Sequence, residues 1–364
     1  MKNCIFHIPW KVDELLINTP DIRVVKMLHA FKKIGYNVEV ISGYGKERKK
    51  KIVELKERIR NGMKLDFVYS EASTYPTLLT ESHHLPINPF LDFHFFQFCK
   101  KYRIPVGIFY RDIFWRFKEI KRFNYAKHLY SKIFHIYDLM MYKKLINYIF
   151  LPNENMIEYI KYLKKIPYAN LYSGTEIHNI TLKYDNNFLY VGGINPNTHY
   201  NISLLLKSFY KTDNILYICC REYEWLKFKE YYAKFLSKNI KIVHYNNNQM
   251  YDLYKQVSYL MIFNPSSLYR KIATPFKLFE YISFEKPIIS SSGTFVSEFV
   301  KNNDIGYVVD YDANKLNKFL NNLPTLEEYI RIVENLKKVK FDNTWEKRAE
   351  KVAKTLTGIT DTAQ

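Results

Sequence analysis

Short apolar runs alternate with helical patterns through both halves of this chain, and that alternation predicts parallel sheets with crossover helices. In the first half, residues 4–8, 37–42, 65–69, 106–110, 147–151 and 168–172 read as strands. Helices are expected over 21–34, stopped by Gly35, and over 49–61, 89–102, 125–144 and 153–163. A second series begins at Asn187, with strands over 188–191, 215–219, 240–243, 259–263 and 287–290 and a helix over 202–210. Polar residues fill 173–186, a stretch suited to a linker. The pattern therefore predicts an α/β chain of two Rossmann-like domains, 1–172 and 187–343. A last helix follows over 344–357, and the residues beyond it read as a frayed tail.

Size agrees, because 364 residues suffice for two domains with separate cores. Charge adds more. The formal net charge of +19 makes the surface attractive to anions, whether phosphorylated substrates, anionic lipid or nucleic acid. Basic residues concentrate over 46–60 and 100–144. Between 110 and 148 they alternate with Phe114, Trp115, Phe117, Phe123, Tyr125, Tyr130, Phe134, Tyr137 and Tyr142. Such a segment suits a membrane headgroup region, and it equally suits the solvated face of an ordinary helix. No apolar run approaches the roughly 20 residues that cross a bilayer, and the N-terminus has no signal-type core, so a cytoplasmic chain is expected. Four cysteines at Cys4, Cys99, Cys219 and Cys220 form neither a metal spacing nor a disulfide framework.

The chemistry concentrates in 273–290. Pro275 fits the first turn of a helix, where its missing N–H costs nothing, and the free N–H groups of that turn suit an anion. Lys277 brings a formal cation to the same turn. Glu280, three residues on, projects to a neighbouring part of the same face, and a carboxylate can accept both hydroxyls of a ribose. This run, with Lys286-Pro287-Ile288-Ile289 after it, resembles the donor segment of GT-B glycosyltransferases, which have two Rossmann-like domains facing a central cleft. Glycosyl transferases of group 1, found in bacterial surface-polysaccharide synthesis, are the nearest kind. Many members carry a pair of glutamates at fixed spacing; Glu280 fits the second, whereas the first falls on Ile272.

The resemblance implies donor contacts at Thr274, Pro275, Phe276, Lys277, Leu278 and Glu280. It also implies contacts at Gly192 and Gly193 in the turn after a strand, at Arg221 after the next strand, and at Ser266 and Ser267 in a loop before the helix. The family often places cations after the glycine turn, but Asn195, His199, Tyr200 and Asn201 stand there instead. Lys277 must then carry more of the charge, with Arg270 and Lys271 nearby. Tyr110-Arg111-Asp112-Ile113-Phe114-Trp115 resembles an acceptor-side loop of the same enzymes, so Trp10, Arg111 and Asp112 are expected to face the acceptor. In an inverting reaction Asp112 takes the proton of the acceptor hydroxyl.

These readings imply transfer of a sugar from a nucleotide diphosphate to a saccharide or lipid-linked acceptor, at the inner face of the cell membrane. Lys277 and Asp112 are the catalytic candidates. No cofactor or metal is implied, since His83-His84 with Glu81 is a poor ligand set and no Asp-x-Asp motif occurs. Retention is the outcome expected from the resemblance. Two alternatives stay open: a nucleotide-sugar epimerase of the same fold, and a basic nucleic-acid-binding protein without catalysis.

Overall fold

The computed structural model describes residues 2–12, 19–117, 125–245 and 247–361. Phe123, read with the basic aromatic segment, lies outside them. The chain divides into two compact units, Met1–Gly174 with Thr344–Gln364, and Thr175–Asn343.

In the first unit the order is β1 (Lys2–His7), α1 (Thr19–Lys33), β2 (Tyr36–Ile41), α2 (Gly45–Arg60), β3 (Phe67–Glu71), α3 (Leu91–Lys101), β4 (Val106–Phe109), α4 (Tyr125–Leu145), β5 (Tyr148–Leu151) and β6 (Tyr168–Asn170). All pairs are parallel, in the order β2-β1-β3-β4-β5-β6. Every residue of β3 and β4 is buried, as strands covered on both faces require. Residues 153–163, expected as one helix, instead make two 3-10 turns, Glu154–Tyr159 and Lys161–Leu163. The Asn153 side chain accepts the Asn155 N–H and tightens the first turn, and Ile160 leaves helical geometry at φ −121°, ψ 50°.

The second unit runs β7 (Asn187–Val191), α5 (Ser203–Phe209), β8 (Ile215–Cys219), α6 (Glu222–Tyr232), β9 (Ile240–Val243), α7 (Asn247–Gln256), β10 (Tyr259–Ile262), α8 (Phe276–Ser283), β11 (Ile288–Ser291), α9 (Phe295–Asn303), β12 (Gly306–Val309), α10 (Ala313–Leu320) and α11 (Leu326–Asp342). Its strands are parallel in the order β12-β11-β10-β7-β8-β9. β12 is a sixth strand beyond the five expected. It is a half-exposed edge, and Gly306 lets it approach β11, because a Cβ there would collide with the Ile288 carbonyl. Phe188, Tyr259, Met261, Phe209 and Tyr329 are among the buried side chains that fill this unit's core.

Of the stretch read as a linker, Thr175 onward groups with the second unit and is tied to it. Thr175 donates to the Lys340 carbonyl at 2.6 Å, and Glu176 N–H donates to Ser283 Oγ at 2.9 Å. The final helix, α12 (Trp345–Asp361), continues past the expected end at 357. It packs with the first unit, against α1, β3 and β4, and Leu356 sits against Gly107.

Strand order reverses between β1 and β3 in the first unit and between β7 and β10 in the second. Open α/β sheets place ligands at the carboxyl ends of strands beside such a reversal. Trp10 and Glu71 lie at or just beyond the carboxyl ends of β1 and β3, and Gly192, Gly193 and Ser266 follow β7 and β10.

Candidate functional site

The second unit's reversal is built around the turn after β7. Gly192 N–H donates to the Cys219 carbonyl at 3.1 Å, and a Cβ on Gly192 would lie 2.9 Å from the Tyr190 hydroxyl oxygen. That hydroxyl donates to the Gly193 carbonyl at 2.8 Å. Ile194 N–H is taken by Glu224 at 3.2 Å, while the Gly193 N–H has no partner among the described residues. Glycine is thus required for shape, and one amide donor stays open.

Tyr200 packs beside Gly193, and the Arg270 guanidinium lies 5.9 Å from the centre of the Tyr200 ring. Arg270 is half-buried among the phenols of Tyr190, Tyr200, Tyr269 and Tyr311. Burial pulls its pKa down, and those phenols push the other way. No carboxylate pairs with it among the described residues. A half-buried guanidinium without an acid suits an anion, since charges drawn out of water are ordinarily paired. Its backbone is fixed: Arg270 N–H donates to Ser267 Oγ at 3.2 Å, and its carbonyl accepts Phe295 N–H at 2.9 Å. Ser266 Oγ donates to the Gly293 carbonyl at 2.6 Å, so the loops after β10 and β11 are stitched together.

α8 begins one residue later than expected. Pro275 is its N-cap, with φ −71° and ψ 137°, rather than part of the first turn, and Phe276 opens the helix. Leu278, expected at the donor, belongs to the core: its side chain is fully buried and its N–H donates to the Pro275 carbonyl at 3.1 Å. Thr274 and Phe276 are half-buried where the loop enters the helix. Lys277 and Glu280 do share one face, and they pair with each other at 3.0 Å. Glu280 also accepts the Tyr254 hydroxyl at 2.9 Å. Beside it, the Tyr281 hydroxyl accepts Val191 N–H at 3.2 Å, which ties α8 to the end of β7. The carboxylate keeps lone pairs for further donors, but the Lys277 ammonium is already offset.

Arg221 stands at the N-cap of α6 with 72% of its side chain exposed, 3.1 Å from Tyr223 Oη and 3.5 Å from Glu224. It makes an ion pair on its own helix, and the Tyr200 phenol beside Arg270 acts on it as well. With Glu222 and Glu224 beside Arg221, the sequence offered such a surface ion pair equally, whereas it gave no sign of the tyrosines around Arg270. The spacing of aromatic residues in loops carries no signal for such a wall.

In the first unit Arg111 reaches a strand-end acid. It donates to Glu71 at 2.9 Å and lies 5.4 Å from the Trp10 ring, whose N–H donates to Asp21 at 3.0 Å. Glu71 is fully buried and also takes Arg23 at 3.1 Å and the Tyr69 hydroxyl at 2.8 Å. Two guanidiniums thus converge on one carboxylate at the carboxyl end of β3. Asp112 accepts Phe114 N–H at 2.9 Å and shapes the 3-10 turn Phe114–Arg116. Trp10 and Arg111 therefore come together, with Asp112 next in the chain. Glu71 and Arg23 were missed, although an acid closing an apolar strand is a signal in itself. His83 and His84 serve local backbone groups, His83 accepting Leu85 N–H and His84 reaching the Leu79 carbonyl.

Residues 175–339 match the model of the family described as glycosyl transferases group 1. No curated protein matches the chain. Solved structures share its fold at low identity. Sucrose-phosphate synthase from Thermosynechococcus elongatus is 12% identical, with a TM-score of 0.62 over 99% of this chain and 100% of its own. A glycosyltransferase from Rickettsia africae is 12% identical, with a TM-score of 0.64 over 99% of each chain. Anabaena HepE, solved with UDP-glucose, is 8% identical, with a TM-score of 0.63 over 98% of this chain and 99% of its own. The two Rossmann-like units are those of the GT-B fold.

Proposed function

We propose, because residues 175–339 match the glycosyl transferases group 1 model, that this protein moves a sugar from a nucleotide diphosphate to a saccharide or lipid-linked acceptor in cell-surface glycan synthesis. The observation that carries the reading is the uncompensated Arg270 beside a glycine turn with an open amide, at the strand reversal of the matched domain. HepE, whose structure holds UDP-glucose, supports a donor of this class.

In this reading the diphosphate lies against Gly192, Gly193, Ser266, Ser267 and Thr274, with Arg270 and Lys277 as its cations. As the bond from the anomeric carbon to the diphosphate oxygen breaks, its electron pair stays on that oxygen, and the cations and amide stabilise the growing charge. Glu280 accepts the ribose hydroxyls, held in place by Lys277 and Tyr254. The acceptor lies against Trp10, Arg111 and Asp112, with Glu71 fixing Arg111. Configuration at the sugar is retained: the acceptor oxygen bonds the anomeric carbon on the face that the diphosphate leaves, and the acceptor proton passes to the departing phosphate oxygen. An inverted product would move that proton to Asp112.

Side chains supply the positive charge, so activity is expected to survive removal of divalent ions by a chelator. A panel of nucleotide sugars assayed for release of the nucleoside diphosphate tests the reading. One donor is expected to be consumed, at a rate that falls with Arg270→Ala. Turnover of no donor, with or without acceptor saccharides, would contradict it.

A further inference from the structure

We propose that the outward face of α4 is a docking surface for an anionic lipid bilayer. The inference stands on this helix alone and does not require the transferase reading.

The inner face of α4 is settled: His135, Asp138, Leu139 and Tyr142 are buried, and His135 stacks on Trp115 with ring centres 4.8 Å apart. Opposite them, Leu129 is 48% exposed, Ile133 58% and Met140 48%. At 3.6 residues per turn these three fall within roughly 40° of one line along the helix. Tyr130, also exposed, adds an amphipathic ring at the edge of the stripe. Lys132, Lys143 and Lys144 flank it, and no acid pairs with them among the described residues. The helix has a single acid, Asp138, on the buried side.

α2 provides a comparison within the same unit. It is also strongly basic, yet it carries Glu47, Glu54 and Glu57. Lys51 and Arg58 pair there with Glu39 and Glu54. That is how a basic helix is arranged to face water. α4 lacks such acids on its outer face and presents three apolar tips there, against the single Val53 of α2, as in helices that lie in the headgroup region. A second copy of the chain is a poorer occupant. Stable interfaces bury about 800 Å² per partner, more than a three-residue stripe offers, and facing lysines would repel. No helix of the described residues is long and apolar enough to cross a membrane, so contact through this face would be peripheral.

The test is sedimentation of the full chain with vesicles of phosphatidylglycerol or of phosphatidylcholine. Binding is expected to the first and not to the second. Ile133→Ser/Met140→Ser should weaken it by roughly tenfold or more, and Lys143→Glu/Lys144→Glu by a similar factor. The same charge change on α2, Lys49→Glu/Lys50→Glu, should have a severalfold smaller effect. All these side chains are exposed, so thermal unfolding of the variants should match that of the parent. As a gain-of-signal check, Ile133→Trp should shift its emission to the blue with phosphatidylglycerol vesicles. Absence of vesicle binding, binding indifferent to the apolar pair, or a dimer in solution that the apolar pair abolishes would each overturn the proposal.

Discussion

Arg270 and Lys277 are both cations at the second unit's strand reversal, but their surroundings separate their roles. Lys277 shares its charge with Glu280, whereas Arg270 lies among phenols and pairs with no carboxylate among the described residues. Replacing Lys277 frees the Glu280 carboxylate, and replacing Glu280 frees the ammonium. Glu280→Ala is therefore expected to weaken nucleotide binding through the ribose while raising the phosphate's share of the affinity; comparison of nucleoside with nucleoside diphosphate affinities checks this. Glu71 has a different character. It is a fully buried acid between two guanidiniums. Glu71→Gln removes the buried charge that both guanidiniums meet and should lower stability by about 3–5 kcal/mol, read by chemical denaturation. Arg270 was legible in the sequence only as a helper to Lys277, because pairing within α8 depends on side-chain directions that spacing does not fix. Leu278 shows the same limit. On a short helix, the residue after a site lysine turned into the core.

At the scale of elements, α4 has two faces with separate consequences. On the buried face, desolvation pushes the Asp138 carboxyl up to about 7, against the Thr77 N–H that it accepts at 2.7 Å. Burial, with His128 and Arg116 adding to it, holds His135 down to about 3. Between about pH 4 and 6.5 the folded chain keeps a proton on Asp138 that the unfolded chain has lost. Over the same window the unfolded chain binds a proton on His135 that the folded chain refuses. The two contributions to the pH slope of stability therefore oppose each other, and single substitutions uncover them. Asp138→Asn should make stability rise with pH through this window relative to the parent, and His135→Phe should make it fall. Urea denaturation across pH 4 to 7 reads both signs. Strand positions were mostly legible, since doubly covered parallel strands are continuous apolar runs. The edge strand β12 was missed because Gly306–Val309 is short and half-exposed, and residues 153–163 were misread because their polar cap favours a tighter turn.

For the molecule as a whole, two units of similar architecture have their chemistry at the same place in the sheet, the carboxyl ends beside a strand reversal. Residues 175–339, nearly all of the second unit, match the glycosyl transferases group 1 model, and the fold of this unit was legible from periodicity together with one donor segment. The first unit was legible in outline. Its Glu71 cluster unites residues from β3, α1 and the loop after β4, which only the folded chain brings together. The net charge of +19 serves both proposals, drawing a diphosphate to one unit and lipid headgroups to the other. The most direct test of the central claim is calorimetric titration of the parent and Arg270→Gln with UDP, GDP, CDP and ADP, and with the nucleoside of whichever binds. The account predicts that one diphosphate binds the parent and loses at least about tenfold in affinity with Arg270→Gln, as loss of a charge-assisted phosphate contact implies, while nucleoside affinity is unchanged. Equal diphosphate affinity in parent and variant would contradict it.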